Sequence, residues 1–311
     1  MAEFHPTETD PLKWSAELVK TVRSAGLTPR RIGIHTSIAG GVENAAERAF
    51  RLGCNTLQIF STSPRQWRPY SLGRAQCAAM SDLRRKYDLK PLVIHSNYLI
   101  NLAGANEEFR RKSIAAFRGE LERGAGLSAD YLVLHPGSFR GSSREEGLAL
   151  AAIAIEEAAR GVELGGLSVL IENTAGAEFS LGGTFEQVAE LIERLRGHVS
   201  AGACIDTCHT HVAGYDIVTE DGRGLTLRHL DKTVGLKNVR VWHCNDAKAE
   251  RGSRLDRHEH IGRGKLGLEV FRALLNDRRL KHAAFVAETP IDEPGDDSRN
   301  VQALKALVKS S

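Results

Sequence analysis

The sequence predicts an α/β protein of the (β/α)8, or TIM, barrel class, built as a single domain. Eight short apolar runs rich in β-branched residues occur along the chain, and helical patterns with apolar residues at i, i+3 and i+4 lie between them. The runs are continuously apolar rather than alternating, as expected for parallel strands that are covered on both faces. A length of 311 residues also suits this fold.

The predicted elements follow one another along the chain. The strands cover residues 31–37, 56–60, 91–97, 131–137, 168–174, 201–209, 239–246 and 283–290. Helical patterns are clearest at 41–53, 110–127, 145–166, 184–197 and 298–310, with Gly near several helix ends as a stop signal. Residues 30–311 are therefore assigned to the barrel, and residues 1–29 to an N-terminal extension whose order the sequence does not fix.

An open, doubly wound sheet is the alternative architecture for a series of strand–helix units. Its dinucleotide-binding form is disfavoured, because no Gly-x-Gly-x-x-Gly motif follows the first predicted strand. The closed barrel is therefore the preferred prediction.

Composition and charge indicate an ordinary globular protein. Hydrophobic residues make up 41% of the chain, and the net charge of +3 is too small to argue by itself for a nucleic-acid or membrane partner. Five cysteines without a Cys-x-x-Cys spacing argue against a disulfide framework and favour the cytoplasm. The start of the chain lacks the apolar segment of a signal peptide, and no apolar run is long enough to span a membrane.

The predicted carboxyl ends of the strands carry many histidines and carboxylates, and in this fold those ends meet at one mouth. These side chains are His35, Gln58, His95, His135, Glu172, Asp206, His209, His243, Asp246 and Glu288, followed by Asp256, His258 and His260 after the seventh strand. Any one of them is most simply explained as a turn or hydrogen-bonding residue. Buried together, so many charges would be very costly without a cation, so the set predicts bound metal ions.

The ligand types narrow the choice of metal. Mixed imidazole and carboxylate ligation suits zinc, with Mn²⁺ as an alternative at one site, rather than Mg²⁺ or Ca²⁺, which prefer oxygen ligands. Nine candidate ligands are too many for one tetrahedral ion and suit two or three ions that share bridging carboxylates. Such a cluster binds anions, and phosphodiester hydrolysis is a reaction that it commonly performs.

Several long segments resemble those of endonuclease IV, the family of zinc-dependent apurinic/apyrimidinic endonucleases. They are HSNYLINLA (95–103), HPGS (135–138), IENTAG (171–176), CIDTCHTHVAGYD (204–216), NDAK (245–248) and DRHEHIGRG (256–264). The segments occur in the family's order, from about residue 31 to the last predicted strand. The resemblance implies a (β/α)8 fold and three zinc ions per chain.

The resemblance also implies which residues hold each ion. His95 and His135 would bind the first ion, and Glu172 would bridge it to the second. Asp206, His243 and Glu288 would complete the second ion, and His209, Asp256 and His258 would bind the third. His211 and His260 stay outside this set and are expected at the surface or around the ligands.

The implied reaction is hydrolysis of the phosphodiester on the 5′ side of an abasic site in duplex DNA, which leaves a 3′-hydroxyl and a 5′-deoxyribose phosphate. Glu172 is the candidate catalytic residue, because it would orient the nucleophile or accept its proton. The same chemistry would remove 3′-blocking groups. The resemblance thus implies a DNA-repair hydrolase, expected to be a monomer without a membrane partner.

Two segments near the predicted strand ends are candidate DNA contacts. Arg65 and Gln66 lie in SPRQWRPY (63–70), and Tyr98 and Leu99 follow the third strand. The resemblance implies that both segments enter the duplex at the lesion. Without it, an ordinary polar loop is the simpler interpretation of the first segment. Further candidates for phosphate contacts are Arg254, Arg257, Arg263 and Lys265.

Two other functions fit parts of the pattern. A sugar isomerase or epimerase of the xylose isomerase-like barrels commonly uses one or two ions, whereas His209, Asp256 and His258 argue for a third. A DNA-binding protein without catalysis would be expected to lack one or more ligands, whereas all nine are present. The nuclease is therefore the preferred hypothesis.

Overall fold

The computed structural model describes residues 28–67 and 71–309. Most of the predicted extension at 1–29 lies outside the described residues, as do Arg68 and Tyr70 of the predicted DNA-contact segment.

Eight parallel strands form the barrel wall, and each lies inside its predicted run. They are β1 (Arg31–Ile34), β2 (Leu57–Phe60), β3 (Leu92–His95), β4 (Tyr131–Leu134), β5 (Ser168–Glu172), β6 (Ala201–Asp206), β7 (Val239–His243) and β10 (Ala284–Ala287). Hydrogen-bonded neighbours follow the order β1-β10-β7-β6-β5-β4-β3-β2. Two short antiparallel strands, β8 (Asp246–Ala247) and β9 (His258–Glu259), pair with each other beyond the end of β7. The prediction of a (β/α)8 barrel is confirmed.

Helices connect the strands and cover the outside of the barrel. Within the described ranges they are α1 (Asn44–Arg51), α2 (Arg74–Tyr87), α3 (Glu107–Gly126), α4 (Arg144–Ala159), α5 (Phe185–Arg194), α6 (Thr207–Val212), α7 (Glu220–Thr233), α8 (Gly267–Asn276) and α9 (Asp296–Ala306). Short 3-10 helices occupy Leu236–Asn238 and Arg278–Leu280. None of the helices in the described part of the chain combines the length and the apolar character needed to cross a membrane.

A glycine allows the barrel to close between β1 and β2. These two strands are joined by a single parallel bridge between His35, directly after β1, and Gln58 of β2. At Gly33 the two backbones come so close that an added Cβ would lie 2.1 Å from the carbonyl oxygen of Thr56. Any other residue at this position would push β1 away from β2 and displace His35 and Gln58 at the mouth.

Two apolar layers support the strands. The larger one packs the outer faces of the strands against the helices and includes Phe117, Phe185, Phe271 and Phe285. The smaller one fills the interior of the barrel with one residue from each of six strands. These residues are Val93, Val133, Leu170, Cys204, Val241 and Val286, all fully buried. The barrel is therefore a packed core below its mouth.

The end of β6 differs from the prediction. The sequence predicts a strand through residue 209, whereas β6 ends at Asp206 and α6 begins at the next residue. Asp206 caps this helix, because its Oδ1 accepts a hydrogen bond from the backbone N–H of His209 at 2.8 Å. The capped turn brings His209 back over the strand end instead of extending it along β6.

Candidate metal centre

Strand alternation positions six polar side chains at the mouth of the barrel. Each apolar residue of the barrel interior is followed, two positions later, by a histidine or a carboxylate. These six residues are His95, His135, Glu172, Asp206, His243 and Glu288. Because every second side chain of a strand faces the same side, all six are directed to the barrel axis at the carboxyl end.

Glu172 lies at the centre of this group and is fully buried. Its Oε2 lies 3.2 Å from Nε2 of His95 and 3.0 Å from Nε2 of His135. Its Oε1 lies 2.8 Å from Nδ1 of His243 and 3.6 Å from Nδ1 of His209. One carboxylate therefore faces imidazoles that come from four different segments of the chain.

Glu288 and Asp206 are held side by side by a buried amide. Nδ2 of Asn245 donates to Oδ2 of Asp206 at 2.6 Å and to Oε2 of Glu288 at 3.5 Å. The backbone N–H of Glu288 donates in turn to Oδ1 of Asn245 at 2.7 Å. Glu288 also faces Nδ1 of His243 at 3.2 Å. Asn245 thus keeps two carboxylates close to each other and to the same imidazole.

A third group lies beside the first two. Asp256 joins two imidazoles, with Oδ2 at 3.1 Å from Nε2 of His209 and Oδ1 at 3.2 Å from Nε2 of His258. Nε2 of His258 also lies 3.8 Å from Oδ2 of Asp206. This ring nitrogen is buried, and its contacts with the two carboxylates do not have the geometry of a hydrogen bond. A buried nitrogen left in this state fits a ligand position, since an unsatisfied polar atom costs free energy.

The donor set fits divalent ions. Among the described residues, five groups have ligand atoms that all lie within 4.8 Å of one another. Two of them include Cys204 or Cys208, and the other three consist of histidines and carboxylates only. These three are His95, His135 and Glu172; Glu172, Asp206, His243 and Glu288; and Asp206, His209 and His258. Glu172 belongs to the first and second groups, and Asp206 to the second and third. The described residues therefore bring all nine predicted ligands together, with Asp256 joined to the third group through its ion pairs.

Backbone carbonyls fix which ring nitrogen of three histidines faces the centre. Nδ1 lies 2.8 Å from the Ser96 carbonyl oxygen in His95, 2.9 Å from that of Asn173 in His209, and 3.0 Å from that of Glu288 in His258. A neutral imidazole that donates through Nδ1 presents the lone pair of Nε2. Such outer hydrogen bonds are the usual way in which a protein orients a metal-binding histidine.

Gln58 reverses this arrangement at His243. Its Oε1 lies 2.8 Å from Nε2 of His243, so that Nδ1 of the ring faces the two glutamates. Its Nε2 donates to Oε1 of Glu288 and lies 3.0 Å from Nδ1 of His35. This fully buried glutamine of β2 therefore contacts two predicted ligands from β7 and the end of β10.

The carboxylates raise the pKa of the histidines they face. Burial acts to lower the pKa of His209, but Asp206, Asp256 and Glu172 outweigh this effect and raise it to about 10. The pKa of His258 rises to about 9 for the same reason, through Asp256 and Asp206. Without a metal, imidazolium ions therefore balance the negative charge of the centre.

The histidines also lower the pKa of the carboxylates. Burial acts to raise the pKa of Glu172, but His243 and His135 hold it well below its usual range. The pKa of Glu288 is depressed too, mainly by His243, against the effect of burial. Both carboxylates are therefore ionised at neutral pH.

Comparison with known proteins shows the family of this chain. The profile of the family described as xylose isomerase-like TIM barrel matches residues 46–309. The chain is 48% identical to a probable endonuclease 4 from Solibacter usitatus, over 90% of this chain and 97% of that protein. The chain belongs to the endonuclease IV family. The crystal structure of endonuclease IV from Thermus thermophilus matches it with a TM-score of 0.78 and 39% identity, over 89% of this chain and 98% of that one.

Sugar epimerases share only the fold with this member of the endonuclease IV family. A D-tagatose 3-epimerase-like protein matches with a TM-score of 0.66 and 19% identity, over 88% of this chain and 96% of that one. At this identity the likeness shows the barrel alone, so it lends no support to the isomerase alternative.

The predicted DNA-contact residues of this endonuclease IV relative lie on two neighbouring loops at the mouth. Arg65 and Gln66 are exposed on the loop after β2, and Leu99 is half-buried on the loop after β3. The side of the Tyr98 ring packs edge-on against Phe60, with ring centroids 5.1 Å apart, while 59% of the residue is exposed. The four further candidates, Arg254, Arg257, Arg263 and Lys265, are also exposed.

Like His35 and Gln58, the residues Asp246, His211 and His260 lie outside the three ligand groups. Asp246 accepts hydrogen bonds from the backbone N–H groups of Gly262, Gly264 and Leu266 and so anchors the loop after β9. His211 and His260 are buried, which excludes the first of the two expected positions, at the surface, for both. His211 lies within the buried helix α6, and His260 contacts Asn300 of α9 at 3.0 Å.

Proposed function

We propose that this chain hydrolyses the phosphodiester on the 5′ side of abasic sites in duplex DNA and leaves a 3′-hydroxyl and a 5′-deoxyribose phosphate. The observation that carries the proposal is Glu172, a fully buried carboxylate whose two oxygens face the imidazoles of two predicted ligand groups. Relatives named endonuclease 4 support a nuclease, and the abasic site is what the resemblance of the sequence segments implies. The same chemistry would also remove blocking groups from 3′ ends.

Three zinc ions fit the donor set, with Mn²⁺ as an alternative at one site. The first would be held by His95, His135 and Glu172, the second by Glu172, Asp206, His243 and Glu288, and the third by His209, Asp256 and His258. Bound divalent ions would supply a nucleophilic water at neutral pH and positive charge toward the phosphate oxygens.

Glu172 is the proposed catalytic residue. Its carboxylate is ionised, since His243 and His135 keep its pKa well below the usual range. Beside bound metal ions, this carboxylate would orient the nucleophile or accept its proton. Full burial and contacts on both oxygens leave its side chain little freedom to turn away from this position.

The loops after β2 and β3 are proposed to contact the DNA. A stacked abasic nucleotide is out of reach of a site inside a barrel mouth, so the duplex must be opened. Arg65 and Gln66 would contact the DNA backbone or the space left in the duplex by the missing base. Tyr98 and Leu99 would insert into the duplex beside them. All four side chains lie on loops, outside the strands that carry the ligands.

We expect a monomer in the cytoplasm. One chain supplies every predicted ligand and both loops, so the proposed site needs no second subunit. The five free cysteines suit a reducing compartment.

Incision of a labelled duplex with one abasic analogue tests the proposal. The analogue must resist β-elimination, and an undamaged duplex of the same sequence serves as the control. We expect a cut on the 5′ side of the lesion, which is lost after prolonged chelation and restored by zinc. If protein with about three ions per chain, as implied by its nine candidate ligands, leaves the duplex intact, the nuclease is rejected and sugar substrates should be tested next.

A further inference from the structure

We propose that Asn97 joins the loops after β2 and β3 into one unit, so that the side chains of both enter the DNA together. This inference rests on the proposed function, which places the two loops against an abasic site. Asn97 lies two residues beyond His95, the predicted ligand at the end of β3, and it has no part in the three ligand groups.

The side chain of Asn97 spans the gap between the two loops. It is 6% exposed, and its Nδ2 donates to the carbonyl oxygens of Ser63 at 3.1 Å and Gln66 at 2.9 Å. These two carbonyls lie on either side of Arg65 in the chain. Its Oδ1 accepts a hydrogen bond from the backbone N–H of Leu99 at 2.7 Å. One amide therefore fixes the backbone beside three of the four predicted DNA contacts.

A backbone hydrogen bond and a ring contact support the same junction. The N–H of Tyr98 donates to the carbonyl oxygen of Pro64 at 3.2 Å. The Tyr98 ring packs edge-on against Phe60, the last residue of β2. Residues 61–67 form neither a helix nor a strand, so their position depends on contacts of this kind.

Preorganisation gives this junction a functional consequence. A loop that must become ordered when it enters DNA loses conformational entropy at that step, and binding weakens accordingly. Because Asn97 bonds the backbone of both loops, the free protein already holds them in one arrangement. All three of its hydrogen bonds go to loop atoms and none to a predicted metal ligand, so its loss should affect lesion recognition and spare metal binding.

The test compares Asn97→Ala with wild type and with Asn276→Ala. Asn276 is a matched control, since its Nδ2 also donates to two carbonyls, of Arg272 at 2.7 Å and Leu307 at 2.9 Å, and its Oδ1 accepts a backbone N–H. It ends α8, and the carboxyl ends of barrel helices lie opposite the mouth. Both variants therefore lose the same kind of contact, but only one loses it at the loops.

Three quantities should be measured on metal-loaded protein. The first is the ratio of the dissociation constant for an undamaged duplex to that for an abasic duplex, both made with a hydrolysis-resistant linkage. The second is the fluorescence of 2-aminopurine placed beside the lesion, at saturating protein. The third is the metal content. For Asn97→Ala we expect the ratio to fall about tenfold, in line with the loss of about one net hydrogen bond. The 2-aminopurine signal, which rises when the base unstacks, should fall with it, while metal content stays at the wild-type value. Asn276→Ala should match wild type in all three.

A second variant and a double-mutant cycle keep the proposal open to refutation. Asn97→Asp is isosteric and keeps the acceptor for Leu99 while losing both donors, so it should show the same fall in the ratio even if the alanine variant folds poorly. In an Arg65→Ala background, Asn97→Ala should have little further effect, because both changes disable one unit. Fully additive effects, or a wild-type ratio in Asn97→Asp, would overturn the inference. If wild type itself shows no preference for the abasic duplex, the proposed function fails instead.

Discussion

Glu172→Gln is the substitution that most directly tests the proposed centre. The change keeps the size of the side chain and removes its charge. In the native protein both oxygens accept contacts from imidazoles, Oε2 from His95 and His135 and Oε1 from His243. An amide has one acceptor oxygen, so its NH2 group would face the ring nitrogens on one of the two sides. One of the two ligand groups therefore loses the oxygen that faces it.

The structure sets the expected magnitude. Removing one partner of a buried ion pair costs about 3–5 kcal/mol, and Glu172 is fully buried between its partners. We expect the variant to lose at least one metal ion per chain and to incise abasic DNA at least about a thousandfold more slowly, which corresponds to about 4 kcal/mol of activation free energy. DNA binding should change far less, since the predicted DNA contacts lie on the loops after β2 and β3.

Turnover, metal content and DNA affinity should be measured on the same preparation. Incision of the abasic duplex gives turnover, elemental analysis gives the metal content, and fluorescence anisotropy gives the affinity. Glu120→Gln is a suitable control, because Glu120 is also a buried carboxylate, 2% exposed and 3.1 Å from Arg123, but lies outside the ligand groups. It should lower stability and leave metal content unchanged. Near wild-type turnover in Glu172→Gln with a full metal content would refute the proposed role.

Three further predictions follow from the contacts around the centre. Zinc binding to the metal-free protein near neutral pH should release protons from His209 and His258, whose pKa values are about 10 and about 9. The affinity for zinc should therefore rise with pH up to that range. Calorimetry in buffers of different ionisation enthalpy measures the proton release, and zinc uptake without it would contradict the prediction. Gln58→Ala removes the contacts that orient His243 and Glu288 and should lower the affinity for the ion assigned to them by about 10–100-fold. Competition with a chromophoric chelator measures this affinity, and an unchanged value would show that Gln58 only fills space. Arg65→Ala should weaken the preference for abasic over undamaged duplex and leave zinc content intact, whereas an equal loss of zinc would argue against separate roles for the loop and the centre.

Much of the fold and most of the candidate site could be predicted from the sequence, because both depend on local patterns. Eight apolar runs identify the strands, and the alternation of side chains along each strand is a local property. Val93 and His95, or Leu170 and Glu172, stand two residues apart and must face the same side. Once the strands are known to form a barrel, six ligands are therefore directed to one mouth without further information.

The remaining features depend on contacts between segments that are distant in the sequence. Gln58 contacts His243, which lies 185 positions away, and nothing near either residue in the sequence indicates this pairing. Asn97 follows a strand end, as many turn residues do, and its role appears only when the loop after β2 is seen beside it. The early end of β6, by contrast, has a local signal in the sequence. Asp206 and His209 are three positions apart, which is the spacing between an N-cap side chain and the backbone N–H that donates to it.

The centre and the loops place different demands on the chain, and the fold meets them with different elements. Ligands of a shared metal must keep their distances, and Glu172 is fixed by the paired strand β5 and by full burial. DNA-contact side chains must instead reach beyond the barrel on the loops after β2 and β3, so their order has to come from side chains such as Asn97. Asp256 combines both conditions, because its side chain is 48% exposed and lies on the loop between β8 and β9 while it faces two predicted ligands. Of the three predicted ions, the third is therefore the one whose ligands depend most on loop structure. Its ligands share this dependence with the residues proposed to contact the DNA.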